Sequence, residues 1–120
     1  MITKIVKVDK EHPDEAAIKE AGEILKNGGL VAFPTETVYG LGGDGLNARS
    51  SEKIYQAKGR PSDNPLIIHI ADMEHLDKIV EEVPEAAHKL AEAFWPGPLT
   101  MIMNKSDAVP HGTTGGLDTG

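Results

Sequence analysis

Apolar and polar positions change rhythm several times along the 120-residue chain. Ile2 to Val8 alternates, with Ile2, Val6 and Val8 on one face, which predicts a strand. Pro13 suits a first helical position, and Asp14 and Glu15 suit the first turn. Ala17, Ile18, Ala21, Ile24 and Leu25 then recur at helical spacing until Asn27-Gly28-Gly29 stops the helix. Leu30 to Phe33 is a short apolar run, the pattern of a strand buried on both faces. After the loop PTETVYGLGGDGLN, Ser50 is placed to cap a short helix through about Lys58, with Glu52 in its first turn. Pro61 and Pro65 interrupt regular structure, and Leu66 to Ala71 predicts a second buried strand. Asp72 is placed to cap a helix bearing Leu76, Ile79 and Val80. Pro84 opens another, with Ala87, Leu90, Ala91 and Phe94 on one face, broken by Trp95-Pro-Gly-Pro98. Leu99 to Met103 predicts a fourth strand, and the chain from Asn104 onward reads as loop. The order β-α-β-loop-α-β-α-α-β implies an α/β fold with a mixed, twisted sheet and flanking helices.

Composition narrows the function classes. Lys and Arg number 12 against 19 Asp and Glu, a formal charge of -7 that argues against a general polyanion binder. No cysteine is present, which removes a disulfide scaffold, a thiolate zinc site and a cysteine nucleophile. No apolar run approaches the roughly 20 residues that span a bilayer, and Met1 to Lys10 lacks a signal-peptide core, so a cytoplasmic protein without membrane association is expected. The charge is unevenly placed. Gly45 to Arg60 holds four cations and one acid, whereas Asp72 to Glu92 holds seven acids and two cations.

Three segments are candidates for chemistry. Pro34 to Gly45 runs from a buried strand into two threonines and four glycines, a loop able to bring N–H groups close to an anion. It matches neither common phosphate-loop pattern, and a simple glycine-rich turn explains it equally well. In Lys58-Gly59-Arg60-Pro61-Ser62-Asp63-Asn64-Pro65, Arg60 offers a bidentate fork and Lys58 a compact charge for phosphate or carboxylate; capping of a helix C-terminus is the alternative. His69 lies within an apolar strand opposite Ile68 and Ile70, where a satisfied structural histidine is the commoner outcome. His12, His75, His88 and His111 have no partners at metal-ligand spacing, so no protein metal site is expected. Trp95 before Pro-Gly-Pro reads as a packing anchor.

Four segments in order, GGLVAFPTETVYGLGGDGLN, IYQAKGRPSDNPLIIHI, FWPGPLTMIM and GLDT, resemble the threonylcarbamoyl-AMP synthase family, also called YrdC-like. The resemblance runs from about Ile18 to Thr119, and its PTETVYGL and KGRP…NPL blocks are highly specific. It implies an α/β sheet twisted around a large open cavity with a positively charged lining. It also implies a nucleotidyltransferase that combines L-threonine, bicarbonate and ATP into threonylcarbamoyl-AMP and pyrophosphate, for N6-threonylcarbamoyladenosine modification of tRNA. Mg2+ would accompany ATP as part of the substrate.

Carried over by position, Lys58 and Arg60 are the family's catalytic K-x-R pair, facing the nucleotide phosphates. Asn64 and Thr119 contact ATP, and Thr35, Thr37 and His69 line the threonine pocket. Family members continue beyond GLDT with a V-A-V-R-type strand and a later S-x-N motif. The resemblance therefore implies one YrdC-like domain over residues 1–120 that is incomplete at its C-terminus. Structured RNA and tRNA-modification proteins are the further partners it suggests. A structured-RNA-binding module without synthase activity is the competing reading, disfavoured by the acidic charge.

Overall fold

The computed structural model describes residues 3–9, 11–59, 61 and 64–120. It divides into two compact units, Met1–Asp44 and Gly45–Gly120.

In the first unit, α1 spans Glu15–Lys26. Its cap is Asp14, whose carboxylate accepts from the Ala16 N–H at 2.9 Å, so Pro13 stands just outside the helix rather than at its first position. The helix ends as expected. The Gly28 N–H donates to the Leu25 carbonyl at 3.1 Å and the Gly29 N–H to the Ile24 carbonyl at 2.8 Å, the paired bonds that close a helix on a glycine. Next come β1, Val31–Phe33, and β2, Gly40–Gly42, an antiparallel pair with Phe33 opposite Gly40 and Val31 opposite Gly42. α1 packs against β1.

Two expectations fail in this unit. The strand expected from Ile2 to Val8 is absent over its described residues 3–8, and Ile5 is 89% exposed. Alternation proposes a strand, but only a neighbour that accepts its N–H groups makes one, and no described residue does. The run from Leu30 to Phe33 forms one arm of a hairpin rather than a strand buried on both faces, and Phe33 remains exposed. Its partner β2 lies inside the segment expected to be loop. The sequence of β2 follows from the Phe33 ring, which lies across it. A Cβ at Gly40 would come within 3.0 Å of that ring, and one at Gly42 within 2.8 Å.

The second unit contains α2, Ala48–Lys58; α3, Met73–Ile79; and α4, Glu85–Phe94. α2 starts earlier than expected. Asn47 caps it, accepting from the Arg49 N–H at 3.0 Å, and Ser50 is fully buried inside the helix instead. Asparagine and serine cap equally well, so composition alone could not choose between them. Asp72 caps α3 as expected, accepting from the His75 N–H at 3.1 Å. On α4, Ala87 and Ala91 are buried while Leu90 and Phe94 of the same stripe are exposed. The Trp95–Pro96 peptide is cis, and the Trp95 indole N–H donates to the Leu99 carbonyl at 2.9 Å, closing the turn after α4.

The buried apolar residues are Ile54, Tyr55, Leu76, Val80, Ala87, Ala91 and Val109, joined by the buried hydroxyls of Ser50, Ser51, Thr113 and Thr114. No ladder forms over Leu66–Ala71 or Leu99–Met103, where strands were expected. Along 66–70, half-buried Leu66, Ile68 and Ile70 alternate with exposed Ile67 and His69, an extended segment with one covered face. The bonds expected from the last strand form slightly later. Met103 and Gly120 exchange both backbone bonds at 2.9 Å, the Glu81 N–H reaches the Asn104 carbonyl at 2.8 Å, and the Ser106 N–H reaches the Ile79 carbonyl at 2.9 Å. The 103–106 segment is thus bridged on either side, by residues near Val80 and by residues near Thr119. Helices with a small antiparallel sheet make this a mixed α/β architecture, as the element order implies.

Candidate functional site

Thr35 and Thr37 lie in the connection between β1 and β2. The Thr35 hydroxyl donates to the Val38 carbonyl and accepts from the N–H groups of Thr37 at 3.3 Å and Val38 at 3.2 Å. One hydroxyl carries one proton, so Thr35 is committed to shaping this turn. The exposed Thr37 hydroxyl has no hydrogen-bond partner among the described residues and faces solvent.

In the second unit, Lys58 ends α2, with its charge at the negative end of the helix dipole. Its exposed side chain forms no ion pair among the described residues. Gly59 then turns the chain with φ 64°, a left-handed geometry that disfavours any side chain. Arg60, expected to pair with Lys58, lies outside the described residues. Asn64 is fixed by its main chain. Its carbonyl accepts from the Tyr55 hydroxyl at 2.6 Å, and its N–H donates to the Pro61 carbonyl at 3.2 Å. No hydrogen bond joins His69 or Thr119 to Lys58 or Asn64 among the described residues.

The exposed His69 ring places Nδ1 3.3 Å from the Ile67 carbonyl. A carbonyl only accepts, so this bond puts the proton on Nδ1 and leaves the Nε2 lone pair of the neutral ring outward. Ile68, on the other side of the segment, packs toward Gly45, where a Cβ would meet its side chain at 3.6 Å. Thr119 is half-buried and bridges to Asn104. No cluster of three or more His, Cys, Asp or Glu side chains able to hold a metal occurs among the described residues.

The least expected structure is at 109–120, read from the sequence as loop. Val109, Thr113 and Thr114 are each 1% exposed. The Thr113 hydroxyl donates to the Gly45 carbonyl at 2.7 Å and lies 2.7 Å from the Ser51 hydroxyl. Its single proton is spent on Gly45, so Ser51 is the donor in the second bond. The Thr113 carbonyl in turn accepts from the Leu66 N–H at 3.0 Å. This one residue therefore ties the start of α2 and the segment carrying His69 to the turn at 110–117. Sequence reading passes over Thr113 because its partners are distant in the chain; the signal was two adjacent threonines in a turn otherwise built of glycine.

His111 Nε2 lies 3.0 Å from Asp118 Oδ1. That hydrogen bond, then the charge of His111 and more weakly that of Lys105, hold the Asp118 carboxyl below its ordinary value of 3.8. A depressed folded value means the stabilisation is present above the unfolded value and is lost as pH falls through the folded one. Asp118→Asn should accordingly lose less stability than wild type between pH 5 and pH 2, measured by thermal unfolding across that range. Equal acid slopes for the two proteins would show the pair to be energetically silent.

Residues 23–120 match the Sua5/YciO/YrdC family, whose description is "Telomere recombination". The chain is 52% identical over 118 residues to a threonylcarbamoyl-AMP synthase of Pyrococcus abyssi, covering 98% of this chain and 34% of that protein. It is 48% identical over 112 residues to a threonylcarbamoyl-AMP synthase of Bacillus subtilis, covering 92% of this chain and 32% of that one. The chain thus spans about a third of the length of these curated relatives. Among solved structures it is similar to P. abyssi Sua5 complexed with L-threonine, with a TM-score of 0.92 at 52% identity over 98% of this chain and 34% of that one. It is also similar to E. coli YciO, with a TM-score of 0.69 at 26% identity over 83% of this chain and 48% of that one.

Proposed function

Since this chain belongs to the Sua5/YciO/YrdC family, we propose that it carries part of the active site of an L-threonylcarbamoyladenylate synthase, a nucleotidyltransferase serving tRNA modification in the cytoplasm. The observation that carries this reading is the 52% identity, across 98% of the chain, to a P. abyssi protein with that activity in its name. The likeness to a Sua5 structure complexed with L-threonine supports the amino-acid substrate.

The chemistry fits the residues available. The amine of threonine adds to bicarbonate with loss of water, giving an N-carboxylate. A carboxylate oxygen then attacks the α-phosphorus of ATP, and pyrophosphate leaves with the bond electrons. Lys58 and Arg60 neutralise the phosphate oxygens, which crowd together as the attacking and departing groups come into line. Asn64 and Thr119 contact the nucleotide. By the family resemblance, Thr35, Thr37 and His69 are the residues that bind threonine. Mg2+ bound to ATP as part of the substrate would share the charge of the phosphates. No covalent nucleophile is required, which suits a chain without cysteine.

The reading is tested by incubating the full-length protein with ATP, L-threonine and bicarbonate and detecting the adenylate by mass. Product should disappear when any one substrate is omitted. Threonyl-AMP, the mixed anhydride of the threonine carboxylate and AMP, formed without bicarbonate would overturn it. The role of His69 has its own test. An Nε2 acceptor facing the threonine ammonium or hydroxyl is expected to contribute about tenfold or more in apparent threonine affinity. His69→Ala should raise the threonine requirement by that factor and leave the ATP requirement unchanged. Equal effects on both substrates would remove His69 from the threonine pocket.

A further inference from the structure

A tyrosine at position 55 is more than the helix needs. Tyr55 sits on α2 with only 6% of its surface exposed, a burial that a phenylalanine ring would serve equally well. The additional oxygen must be satisfied once buried, and it is satisfied in a particular place. It donates at 2.6 Å to the main-chain carbonyl of Asn64, nine residues on and beyond the turn that follows the helix. The chain at Asn64 is restrained from the other side as well, because Leu66 donates to the Thr113 carbonyl at 3.0 Å and Pro65 between them has a fixed φ. The exposed side-chain amide of Asn64, by contrast, makes no hydrogen bond among the described residues. A residue whose backbone is tied down while its exposed amide is uncommitted to any described residue is well placed to meet a ligand. Lys58 lies three residues after Tyr55, on the neighbouring turn of the same helix.

We propose that Tyr55 is a positioning residue: its hydroxyl holds Asn64 against α2, setting the Asn64 amide at a fixed distance from Lys58 so that both meet one nucleotide. This rests on the synthase reading above for the identity of the ligand, and on the hydrogen bond alone for the restraint. Tyr55→Phe removes one oxygen and keeps the ring, so the fold is retained. Two measurements on the full-length protein separate the parts of the claim. Amide hydrogen exchange without substrates should quicken at Asn64 and Leu66 and stay unchanged in α3 and α4. In turnover, the KM for ATP should rise about tenfold while the KM for threonine stays constant. Unchanged exchange at Asn64 and Leu66 would overturn the restraint whatever the enzyme does. Faster exchange with an unchanged ATP KM, or with both KM values raised alike, would make Tyr55 a packing residue only. Faster exchange in a protein whose wild type makes no adenylate would instead remove the synthase reading, and the nucleotide role of Tyr55 with it, while leaving the restraint in place.

Discussion

Lys58→Ala in the full-length protein is expected to lower pyrophosphate formation about a hundredfold or more while barely moving thermal unfolding. The two halves of that result come from different physics. As a structural residue Lys58 is only a cation at the exposed end of α2, a placement worth about 0.3–1 kcal/mol through the helix dipole. It forms no ion pair among the described residues whose loss would add to that. If, as proposed, Lys58 holds phosphate oxygens in a partly desolvated pocket, the same charge would contribute several times more. Pyrophosphate release and an unfolding curve measured on the same preparation separate the two roles. Arg60, the other half of the K-x-R pair, should behave alike, and Arg60→Lys should also fail because a point charge does not replace a bidentate fork. Near-normal turnover in Lys58→Ala and Arg60→Ala would take the pair out of the mechanism and leave helix capping as the role of Lys58.

Thr113→Val is expected to cost about 2–4 kcal/mol of stability, a large effect for a substitution that keeps the volume of the side chain. Valine restores the shape and removes the oxygen through which Ser51 and the Gly45 carbonyl are joined. Both residues 51 and 113 are 1% exposed, so water is poorly placed to compensate. Each group left without a partner carries its own desolvation penalty. Thr113→Ser should cost much less, about 1 kcal/mol, because the hydroxyl remains and only a methyl is lost. The urea midpoint, with an unchanged slope, is the appropriate readout. If the valine variant unfolds at the wild-type midpoint and the serine variant below it, the methyl rather than the hydroxyl is what matters at this position. The main-chain carbonyl that accepts from Leu66 is kept in both variants, so the difference between them reads the side-chain hydroxyl.

The helices were legible in the sequence because their signals are local. The apolar spacing and the Asn27-Gly28-Gly29 stop of α1 act within a few residues, and so do the Asp72 cap of α3 and the break at Trp95 after α4. Lys58 at the end of α2 was legible for a similar reason, since Gly59 and Pro61 stop the helix just after it. Strands were not legible in this way. Alternation at Ile2 to Val8, at Leu66 to Ala71 and at Leu99 to Met103 describes which faces could be covered, but a strand exists only where another backbone accepts its bonds, and that is decided at a distance. β2 shows the converse, since nothing about Gly-Leu-Gly suggests a strand until Phe33 is laid across it. The final turn was misread for the same cause. Thr113 looks like a loop residue beside its neighbours, and only the tertiary structure, by bringing Ser51, Gly45 and Leu66 around it, makes it a buried junction between three segments of its unit.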